Sequence, residues 1–421
     1  MRDYLQVFSN RRVALMMVLG FASGLPLALS TGTLQAWATV EGVDIRTIGM
    51  LTLVGSAYTL KFLWAPLMDR FVPPLLGRRR GWMLVTQLAL AVAIAVMGTG
   101  SPGEGMAALA AIAVLVAFVS ASQDIAFDAY RTDVLRAAER GAGAAMSVFG
   151  YRLAMLVSGG LALVLAGTVL GWRATYFLMA ALMGIGALAT LLAPEPDAVL
   201  KPPRTLQEAV VGPWRDFFSR SFGAAGAGEM LALIVLYKLS DAFALSLSTA
   251  FLIRGAGFSV EEVGYVNKGL GLVATILGAM VGGGLMARLG LFRSLMLFGV
   301  LQTVSNLAFW ALAVTPRNIY SMAAAVAVEN ICGGMGTTAF VALLMALCNR
   351  RYSATQFALL SSLSAVGRTY VAGPLSGAIV AQMGWPAFFA ATVVIGMPGL
   401  WLLWRRREVV AALDAQPAGG T

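Results

Sequence analysis

Long runs of apolar residues, separated by short polar segments, dominate the chain. A helix needs about 20 mostly apolar residues to cross a hydrocarbon core of about 30 Å. The sequence offers twelve such runs, so it predicts an all-α integral membrane protein with twelve transmembrane helices. We place these helices near residues 12–38, 47–69, 81–99, 105–132, 141–169, 173–193, 229–253, 262–287, 292–314, 319–348, 354–381 and 385–404.

The segment at residues 194–228 interrupts this pattern, because it carries five prolines among scattered charges and is too polar to cross a bilayer. It divides the chain into a six-helix bundle at 1–193, a linker at 194–228, a second six-helix bundle at 229–407 and a polar cytoplasmic tail at 408–421. Within the linker, residues 205–218 alternate apolar and charged positions, which predicts a short helix lying at the membrane surface.

Short landmarks recur in the two bundles at nearly constant spacing. Residues 42–49 match 257–264 at an offset of 215 positions, and the Pro-Leu-Met-Asp-Arg stretch at 66–70 matches Gly-Leu-Met-Ala-Arg at 284–288 at an offset of 218. A third match compares Gly150 and Arg152 in the first half with Gly367 and Arg368 in the second. The repetition predicts two six-helix pseudo-repeats.

The net charge of +10 adds information on orientation, because the basic residues are distributed unevenly along the chain. With the N-terminus inside, 21 of the 30 basic residues fall in cytoplasmic segments and four in outer loops. Because basic loops resist translocation, this asymmetry predicts that both termini lie in the cytoplasm. It also accounts for the basic excess without a nucleic-acid partner. The sequence contains no histidine, and its two cysteines are too far apart on one helix to pair, so we expect no metal site and no cofactor.

Five further basic residues and four acids lie inside predicted spans, where a charge at the bilayer centre costs about 2.5–3.5 kcal/mol. We expect these side chains to face the interior of the bundle or a wet cavity, and some of them to pair. They are Lys61, Arg152, Lys238, Lys268, Arg368, Asp124, Asp128, Asp241 and Glu329. The excess of basic residues favours an anionic substrate.

Helical spacing assigns candidate roles to several of these positions. Tyr58, Lys61 and Trp64 follow one another at intervals of three and form a polar and aromatic stripe suited to a sugar or a peptide. Lys238 and Asp241 are also three apart and are expected to form an internal ion pair. The five basic residues are candidate ligands for substrate carboxylates, and other side chains offer stacking or hydrogen bonds: Gln35, Tyr58, Trp64, Gln123 and Asn330.

Asp124 and Asp128 are one helical turn apart, so both carboxylates lie on one helix face. Two carboxylates so close in a low-dielectric site do not both ionise readily, which makes them candidate proton carriers, together with Glu329. Two structural alternatives stay open: Asp128 pairs with Arg131, or Asp124 pairs with Arg152.

Two parallel six-helix repeats, a cytoplasmic linker, and an Asp-Arg pair with a basic loop between the second and third helices resemble the major facilitator superfamily over the whole chain. The resemblance implies that the halves rock against each other around a midplane site, giving alternating access. It also implies that Asp69 and Arg70 form a latch between helix ends. The alternative is that this loop acts only as a positive-inside stop signal.

Stretches in both halves are similar to a narrower family within this superfamily, the bacterial muropeptide permeases: residues 20–29, 32–37, 61–70, 121–128, 139–145, 150–160 and 354–361. The resemblance implies a proton symporter in the inner membrane of a Gram-negative bacterium. Its substrates would be 1,6-anhydro-muropeptides (GlcNAc-anhydroMurNAc with or without a stem peptide), imported for peptidoglycan recycling, with links to β-lactamase induction and β-lactam resistance. It also implies sensitivity to substitution at Gly24, Gly49, Ala121, Gln123, Asp124 and Gly150.

Other classes of protein fit the residues less well. A related permease for another anionic solute, such as acetyl-CoA, would share the same features. A membrane transferase is disfavoured because the sequence offers no phosphate loop and no nucleophile constellation, so we expect no enzymatic activity. A sensor would need an output domain that the short loops do not provide. We expect a monomer whose partners are an anionic glycopeptide, protons and the bilayer.

Overall fold

A computed structural model describes residues 10–43, 51–196, 202–219 and 223–415. Every regular element in these ranges is helical, as the sequence predicts. The first half contains α1 Arg11–Ser30, α2 Gly32–Val40, α3 Ser56–Leu60, α4 Ala65–Arg70, α5 Gly77–Gly98, α6 Pro102–Val134, α7 Arg140–Met155, α8 Ala162–Thr168 and α9 Gly171–Leu192. The remainder contains α10 Leu206–Ser219, α11 Gly223–Tyr237, α12 Leu239–Ser246, α13 Ser248–Ala250, α14 Val260–Val263, α15 Gly271–Val314, α16 Ile319–Leu347, α17 Ser353–Val366, α18 Gly373–Arg405 and α19 Arg407–Ala415.

Eight helical segments of the described chain are long and apolar enough to cross a membrane: Arg11–Ala38, Gly77–Gly98, Gly105–Val134, Ala137–Thr168, Gly171–Leu192, Tyr265–Val314, Ile319–Leu347 and Leu375–Arg405. The sixth segment is interrupted at Gly290, whose positive φ of 74° suits glycine, so this segment holds two of the predicted spans. A multi-pass, all-helical fold is therefore confirmed. The count of twelve transmembrane helices stays a prediction.

Several predicted spans are not continuous α-helices over their described residues, which corrects the picture drawn from hydropathy, and three of them concern the charged residues. Over its described residues, the span predicted at 47–69 consists of short α-helices joined by 3₁₀ turns, one of them at Lys61–Leu63. The span predicted at 229–253 breaks at Lys238, which precedes α12. The span predicted at 354–381 passes from α17 into a π-helical turn at Gly367–Ala372. These three irregular segments contain or adjoin Lys61, Lys238 and Arg368, whereas the break at Thr31 and the π-helical turn at Leu156–Leu161 adjoin no intramembrane basic residue.

The linker forms the short helix that its sequence predicts, α10. Ala209, Pro213 and Phe217 on one side of α10 are buried against the bundle. Val210 and Trp214 on another side remain exposed by 46% and 44%. One apolar side of the helix thus packs against the protein, and a second apolar side is exposed at the molecular surface, as expected for a helix at a membrane interface.

The chain beyond α18 is not simply a polar tail, because residues 407–415 fold into α19 and pack on the second half. Val410 and Leu413 of α19 are buried. The Asp414 carboxylate accepts a hydrogen bond of 2.5 Å from the backbone N–H of Leu291, just after the interruption at Gly290. This contact fixes the turn between the two predicted spans of α15.

Glycines allow α1 and α7 to approach closely in the first half. A Cβ built on Gly150 would lie 1.9 Å from the Met17 carbonyl oxygen, and one built on Gly24 would lie 2.7 Å from that of Tyr151. In the second half, α15 and α16 meet in the same way, since a Cβ on Gly278 would lie 2.1 Å from the Ile331 carbonyl oxygen. These residues therefore serve helix packing in the structure.

Gly150→Ala is expected to destabilise the protein, since an added methyl group must push α1 and α7 apart. Overpacking of this kind costs about 1–3 kcal/mol. Thermal unfolding of the purified protein in detergent should show a clear decrease in melting temperature. Gly184→Ala is the matched control, because a Cβ on Gly184 meets no atom within 4 Å. Equal melting temperatures for the two variants would contradict the packing role of Gly150.

The two halves touch through backbone at one end of the bundle. α7 packs against α15 and α16, and α17 packs against α4 and α6. A Cβ on Gly283 would lie 2.5 Å from Ala145 Cβ and 2.9 Å from the Gly141 carbonyl oxygen. We call this the basic end of the molecule, because α4 ends there at Arg70 and α5 begins there at residues 77–80, which include three arginines.

Candidate transport site and basic-end latch

In the first half, Asp128 on α6 binds two cations. Lys61 Nζ lies 3.2 Å from Asp128 Oδ2, and Arg131 Nη2 lies 2.8 Å from Asp128 Oδ1. The side chains of Lys61 and Asp128 keep 12% and 13% of their surface exposed, so they line a space rather than lie in a sealed core. The pairing of Asp128 with Arg131 that the sequence leaves open is present, but it is shared with Lys61.

Asp124, one turn earlier on α6, has a different environment. Its Oδ1 accepts a short hydrogen bond from the hydroxyl of Ser23 on α1. Among the described residues, no cationic side chain lies within 4.0 Å of the Asp124 carboxylate, and the alternative pairing with Arg152 is therefore not formed. The two carboxylates share a helix face, as predicted, but only Asp128 is held by ion pairs.

The aromatic stripe of the second predicted span is only partly available to a ligand. Trp64 Nε1 donates a 3.0 Å hydrogen bond to Ser122 Oγ, and its ring centre lies 4.7 Å from that of Phe118 with the planes tilted by 38°, so Trp64 anchors this segment to α6. By contrast, the Tyr58 hydroxyl and both amide atoms of Gln123 have no hydrogen-bond partner among the described residues. Gln123 is 1% exposed, which makes its unpartnered amide costly in the absence of a ligand or water.

The second half contains a cluster in which acidic residues outnumber basic ones. Lys238 Nζ lies 3.4 Å from Asp241 Oδ2, which confirms the predicted ion pair. The same amino group donates to Thr337 Oγ1 at 3.1 Å. Glu329 on α16 is buried, and its Oε2 accepts a hydrogen bond of 2.9 Å from the neutral amide of Asn330.

The carboxylates of Asp241 and Glu329 approach each other. A Cβ built on Gly333 would lie 3.8 Å from Glu329 Oε1 and 4.0 Å from Asp241 Oδ1. Asp241 Oδ1 has no hydrogen-bond partner among the described residues. Among the described residues, Lys238 therefore forms an ion pair with Asp241 but not with the nearby Glu329, whereas in the first half two cations share Asp128.

The other predicted site residues differ in burial and in the partners that the structure gives them. Arg152 is partly buried on α7, has a sulfur contact at 3.9 Å to Met155, and has no carboxylate within 4.0 Å among the described residues. Arg368 is exposed in its π-helical turn, Gln35 is partly buried and Ala121 is fully buried. Asn330 bridges α16 to Thr275 by a hydrogen bond of 2.9 Å. The side chain of Lys268 and all of Gly49 lie outside the described residues.

Most of the intramembrane basic residues lie in or beside irregular backbone, but Arg152 lies within the regular helix α7. Lys61 begins a 3₁₀ turn, Lys238 precedes α12, and Arg368 lies in a π-helical turn. Irregular backbone at membrane depth is tolerated where it lines a cavity or is buried in protein, and broken helices form the substrate sites of many transporters. The breaks therefore mark the same region as the charges.

A second polar network closes the basic end around Asp69. Asp69 is completely buried, and its Oδ1 binds Arg79 Nη2 at 2.7 Å. Its Oδ2 accepts hydrogen bonds from the backbone N–H and the hydroxyl of Thr355, at 2.8 and 2.7 Å. Asp69 thus ties the end of α4 to the start of α17 in the other half. Arg70, its predicted partner in the latch, is only partly buried.

We call this network the basic-end latch; its members are Asp69, Arg78, Arg79, Asp133, Ser353 and Thr355. Sequence reasoning predicted Asp69 but missed Asp133, Ser353 and Thr355. Arg79 Nε binds Asp133 at 2.7 Å, and its Nη2 donates to Ser353 at 2.6 Å. Arg78 donates to the backbone carbonyl groups of Arg350 and Arg351, both at 3.2 Å. The basic loop at residues 77–80 was the available signal, but nothing in the sequence identifies its acceptors.

Arg131 connects the first-half cluster to the other half. Its guanidinium binds Asp128 and also lies 4.8 Å from the centre of the Phe357 ring on α17. A cation over an aromatic ring is attracted to it. Any movement of α17 relative to α6 must therefore change the surroundings of the residue that holds Asp128.

The linker helix is tied to the second half at the same end. Asp216 accepts hydrogen bonds of 2.8 Å from Asn349 and 2.9 Å from Gln356, and Glu208 forms an ion pair with Arg351. The backbone N–H of Arg204, followed by the nearby charge of Arg351, lowers the pKa of Glu208 below its ordinary value. These contacts tie α10 to the start of α17.

The fold and these sites define a secondary transporter, and the comparison with known families agrees. Residues 13–370 match the model of the Major Facilitator Superfamily, so the chain belongs to this superfamily. The crystal structure of the human organic anion transporter MFSD10 superimposes with a TM-score of 0.65, covering 96% of this chain and 99% of that protein. At 19% identity, this likeness shows the fold alone.

Bacterial relatives are much closer in sequence. The chain is 62% identical to the anhydromuropeptide permease of Escherichia coli K12, over 97% of this chain and 82% of that protein. It is 39% identical to a protein of Haemophilus influenzae that carries no functional name, over 95% of each. A Rickettsia conorii protein named as transporter AmpG 4 is 32% identical, over 94% of this chain and 97% of that protein.

Proposed function

We propose that the protein is a permease for anhydromuropeptides and imports these anionic cell-wall fragments into the cytoplasm by alternating access. The observation that carries this proposal is the 62% identity, over 97% of the chain, to a permease whose name states that substrate. The intramembrane basic residues support it, since stem peptides bear carboxylates that would pair with cations. Superfamily membership argues for transport rather than for a transferase reaction.

The membrane topology that goes with this function has twelve helices in two halves, at residues 1–193 and 229–407, with the basic end in the cytoplasm. The excess of basic residues at that end supports the orientation. Because the basic-end latch joins the halves there, the structure would be closed toward the cytoplasm and accessible from the periplasm. Opening toward the cytoplasm then requires Asp69 to release Thr355.

The substrate site lies between the two clusters of intramembrane charge. Arg152 and Arg368 are the cations to which we assign substrate carboxylates, because neither has a carboxylate partner among the described residues. The unpartnered groups of Tyr58 and Gln123 are suited to the hydroxyl and amide groups of a glycopeptide. Lys61 and Lys238 already have acid partners, so they would contact substrate only if those pairs rearrange.

Charge balance suggests how a proton assists binding. With Asp124 ionised, the two cations Lys61 and Arg131 are balanced by Asp124 and Asp128. With Asp124 protonated, the cluster carries one net positive charge and attracts an anion. Asp124 is better suited to accept the proton than Asp128, because Asp128 is held by two cations and Asp124 only by the Ser23 hydroxyl. Protonation and anion binding then favour each other.

The second-half cluster reaches neutrality with one proton. Lys238 balances only one of the two acids Asp241 and Glu329, and Glu329 accepts a hydrogen bond from the neutral Asn330. A proton on Glu329 removes an uncompensated negative charge that would repel the substrate. Glu329 is therefore the second proton-carrying residue in the proposed cycle.

Uptake of radiolabelled anhydromuropeptide by proteoliposomes tests the function directly. An inward-directed proton gradient should drive accumulation, and a protonophore should reduce the internal concentration to the external one. Acetyl-CoA should neither be taken up nor compete. Uptake that does not depend on the proton gradient would contradict proton symport. Uptake of acetyl-CoA without uptake of anhydromuropeptide would overturn the substrate assignment.

Arg152→Gln is expected to raise the KM for anhydromuropeptide about tenfold or more, because a hydrogen bond to a charged group contributes about 1.5–3 kcal/mol. The maximal rate should change much less, since the variant retains the proton-carrying residues. Arg152→Lys should restore part of the affinity. The control is Arg317→Gln, which removes an exposed arginine paired with Glu262 outside the proposed site. An unchanged KM in Arg152→Gln would exclude Arg152 from binding.

A further inference from the structure

One helix start at the basic end has a counterpart in each half. A three-residue 3₁₀ turn leads directly into a helix twice, at Ala137–Glu139 before α7 and at Arg350–Tyr352 before α17. Arg140 is the first residue of α7 and Ser353 the first residue of α17, so the two residues occupy equivalent positions. Ser353 accepts a hydrogen bond from Arg79 of the other half, within the basic-end latch. The repeat therefore predicts a second contact between the halves, at Arg140.

The side chains that build the basic-end latch are missing from the corresponding turn of the second half. Within the repeat at residues 284–288, Ala287 takes the position of Asp69. Counted from the glycine with positive φ in each turn, Phe292 takes the position of Arg79. Because neither of the replacing side chains can donate or accept a hydrogen bond, this turn cannot form a copy of the latch.

The helix α19 fills this place instead. Arg140 Nη1 donates a hydrogen bond of 3.3 Å to the backbone carbonyl of Leu413, which joins the first half to α19. The next residue, Asp414, binds the backbone N–H of Leu291 in the turn of the second half. Val410 and Leu413 are buried, and α19 packs against α15, α16 and α18 as well as against the 3₁₀ turn before α7. Two adjacent residues of α19 thus contact the two halves.

The end of a helix suits this contact with Arg140. Leu413 lies in the last turn of α19, which ends at Ala415. Carbonyl groups in the last turn of a helix have no partner within the helix, and the helix dipole favours a cation beside them. A guanidinium that donates to this carbonyl satisfies both groups. The contact therefore stabilises the arrangement in which α7 and α19 lie together.

We propose that α19 is a strap that holds the two halves together at the basic end, and that Arg140 and Asp414 position it. The strap takes the place of the latch that the second half lacks. Because Arg140 ties α19 to the first half and Asp414 ties it to the second, the two contacts act in series. Loss of either one releases the halves at this place. This inference rests on the proposed function, in which rocking of the halves must open the basic end in every cycle.

Distances between two spin labels test the strap without substrate and without a proton gradient. Ala138, in the turn before α7, and Ala287, in the second half, are both exposed. Cysteines at these positions can carry the labels in a full-length chain whose two native cysteines are replaced by alanine. Pulsed electron paramagnetic resonance of this protein in nanodiscs then measures the ratio of open to closed molecules at the basic end.

Both ends of the strap should respond in this measurement. Arg140→Met removes the donor but keeps a long side chain, and it should raise the ratio of open to closed molecules about tenfold, the effect of one hydrogen bond to a charged group. Asp414→Ala should raise the ratio by a similar factor, because it frees α19 from the second half. Since the contacts act in series, the variant that carries both substitutions should open no further than either single variant.

A control on the same helix separates the strap from a general effect of changing α19. Glu408→Gln removes an exposed ion pair with Arg407 that joins neither half, so it should leave the distances unchanged. Equal distances in all variants, an additive effect of the two substitutions, or an effect of Arg140→Met that Asp414→Ala does not share would overturn the proposal. Failure of anhydromuropeptide uptake would instead contradict the proposed substrate, and it would leave these distances as they are.

Discussion

Asp124→Asn is expected to reduce strongly the accumulation of anhydromuropeptide against its gradient. Asparagine cannot carry the proton, so the carrier would lose the coupling through Asp124 and keep only the coupling through Glu329. Exchange of labelled for unlabelled substrate across the membrane should continue, because exchange needs no net proton movement. The measurement compares gradient-driven accumulation with counterflow exchange in the same proteoliposomes. The structural basis is the environment of Asp124, a partly buried carboxylate with a hydroxyl partner and no ion pair.

Asp128→Asn provides the matched comparison, since it changes a carboxylate one turn away on the same helix. This substitution leaves Lys61 and Arg131 without their shared anion. Breaking a buried ion pair from one side destabilises by about 3–5 kcal/mol, so we expect exchange and accumulation to fall together. If Asp124→Asn retained full accumulation, or if the two variants behaved alike, the assignment of the proton to Asp124 would be wrong.

Asp69→Asn is expected to open the basic-end latch and to reduce transport about 100-fold. Asp69 binds Arg79 and two donors of Thr355 while fully buried, so loss of its charge removes the contact that joins the halves. The effect follows from the cost of leaving a buried partner unpaired, about 3–5 kcal/mol. The cytoplasm-closed conformation should lose population, and the cycle should no longer return to it efficiently.

Cys348 provides a natural reporter for this opening, because it is partly buried just beyond α16 at the basic end. In a Cys332→Ala background, maleimide should label Cys348 faster in Asp69→Asn than in the parent protein. Glu195→Gln serves as the control. It removes an exposed ion pair with Arg80 within the same end but does not join the halves, and pairs of this kind contribute about 0–1 kcal/mol. Identical labelling rates in the Asp69 variant and the control would refute the latch.

The sequence was informative wherever a single helix carries the signal. Periodic apolar runs predicted the spans, because backbone groups in a bilayer must be satisfied within helices. The i,i+3 spacing of Lys238 and Asp241 predicted their ion pair correctly, since both residues lie on one helical turn. Alternation along residues 205–218 predicted α10. Sequence reasoning was less successful at the broken spans. Hydropathy measures side-chain polarity and does not distinguish an α-helix from the 3₁₀ and π-helical turns at Lys61 and Arg368.

By itself, the sequence determined that this is a helical membrane protein with charged residues inside its apolar spans, and it predicted two repeated halves. Only the tertiary structure decided which of them are paired. It separated Asp128, held by Lys61 and Arg131, from Asp124, held by Ser23, and it brought Thr355 to Asp69 across 286 positions of sequence. The physical reason is that burial makes a charge costly wherever it lies along the chain. The partner that offsets this cost comes from whichever helix packs nearby, and helical periodicity contains no information about that neighbour.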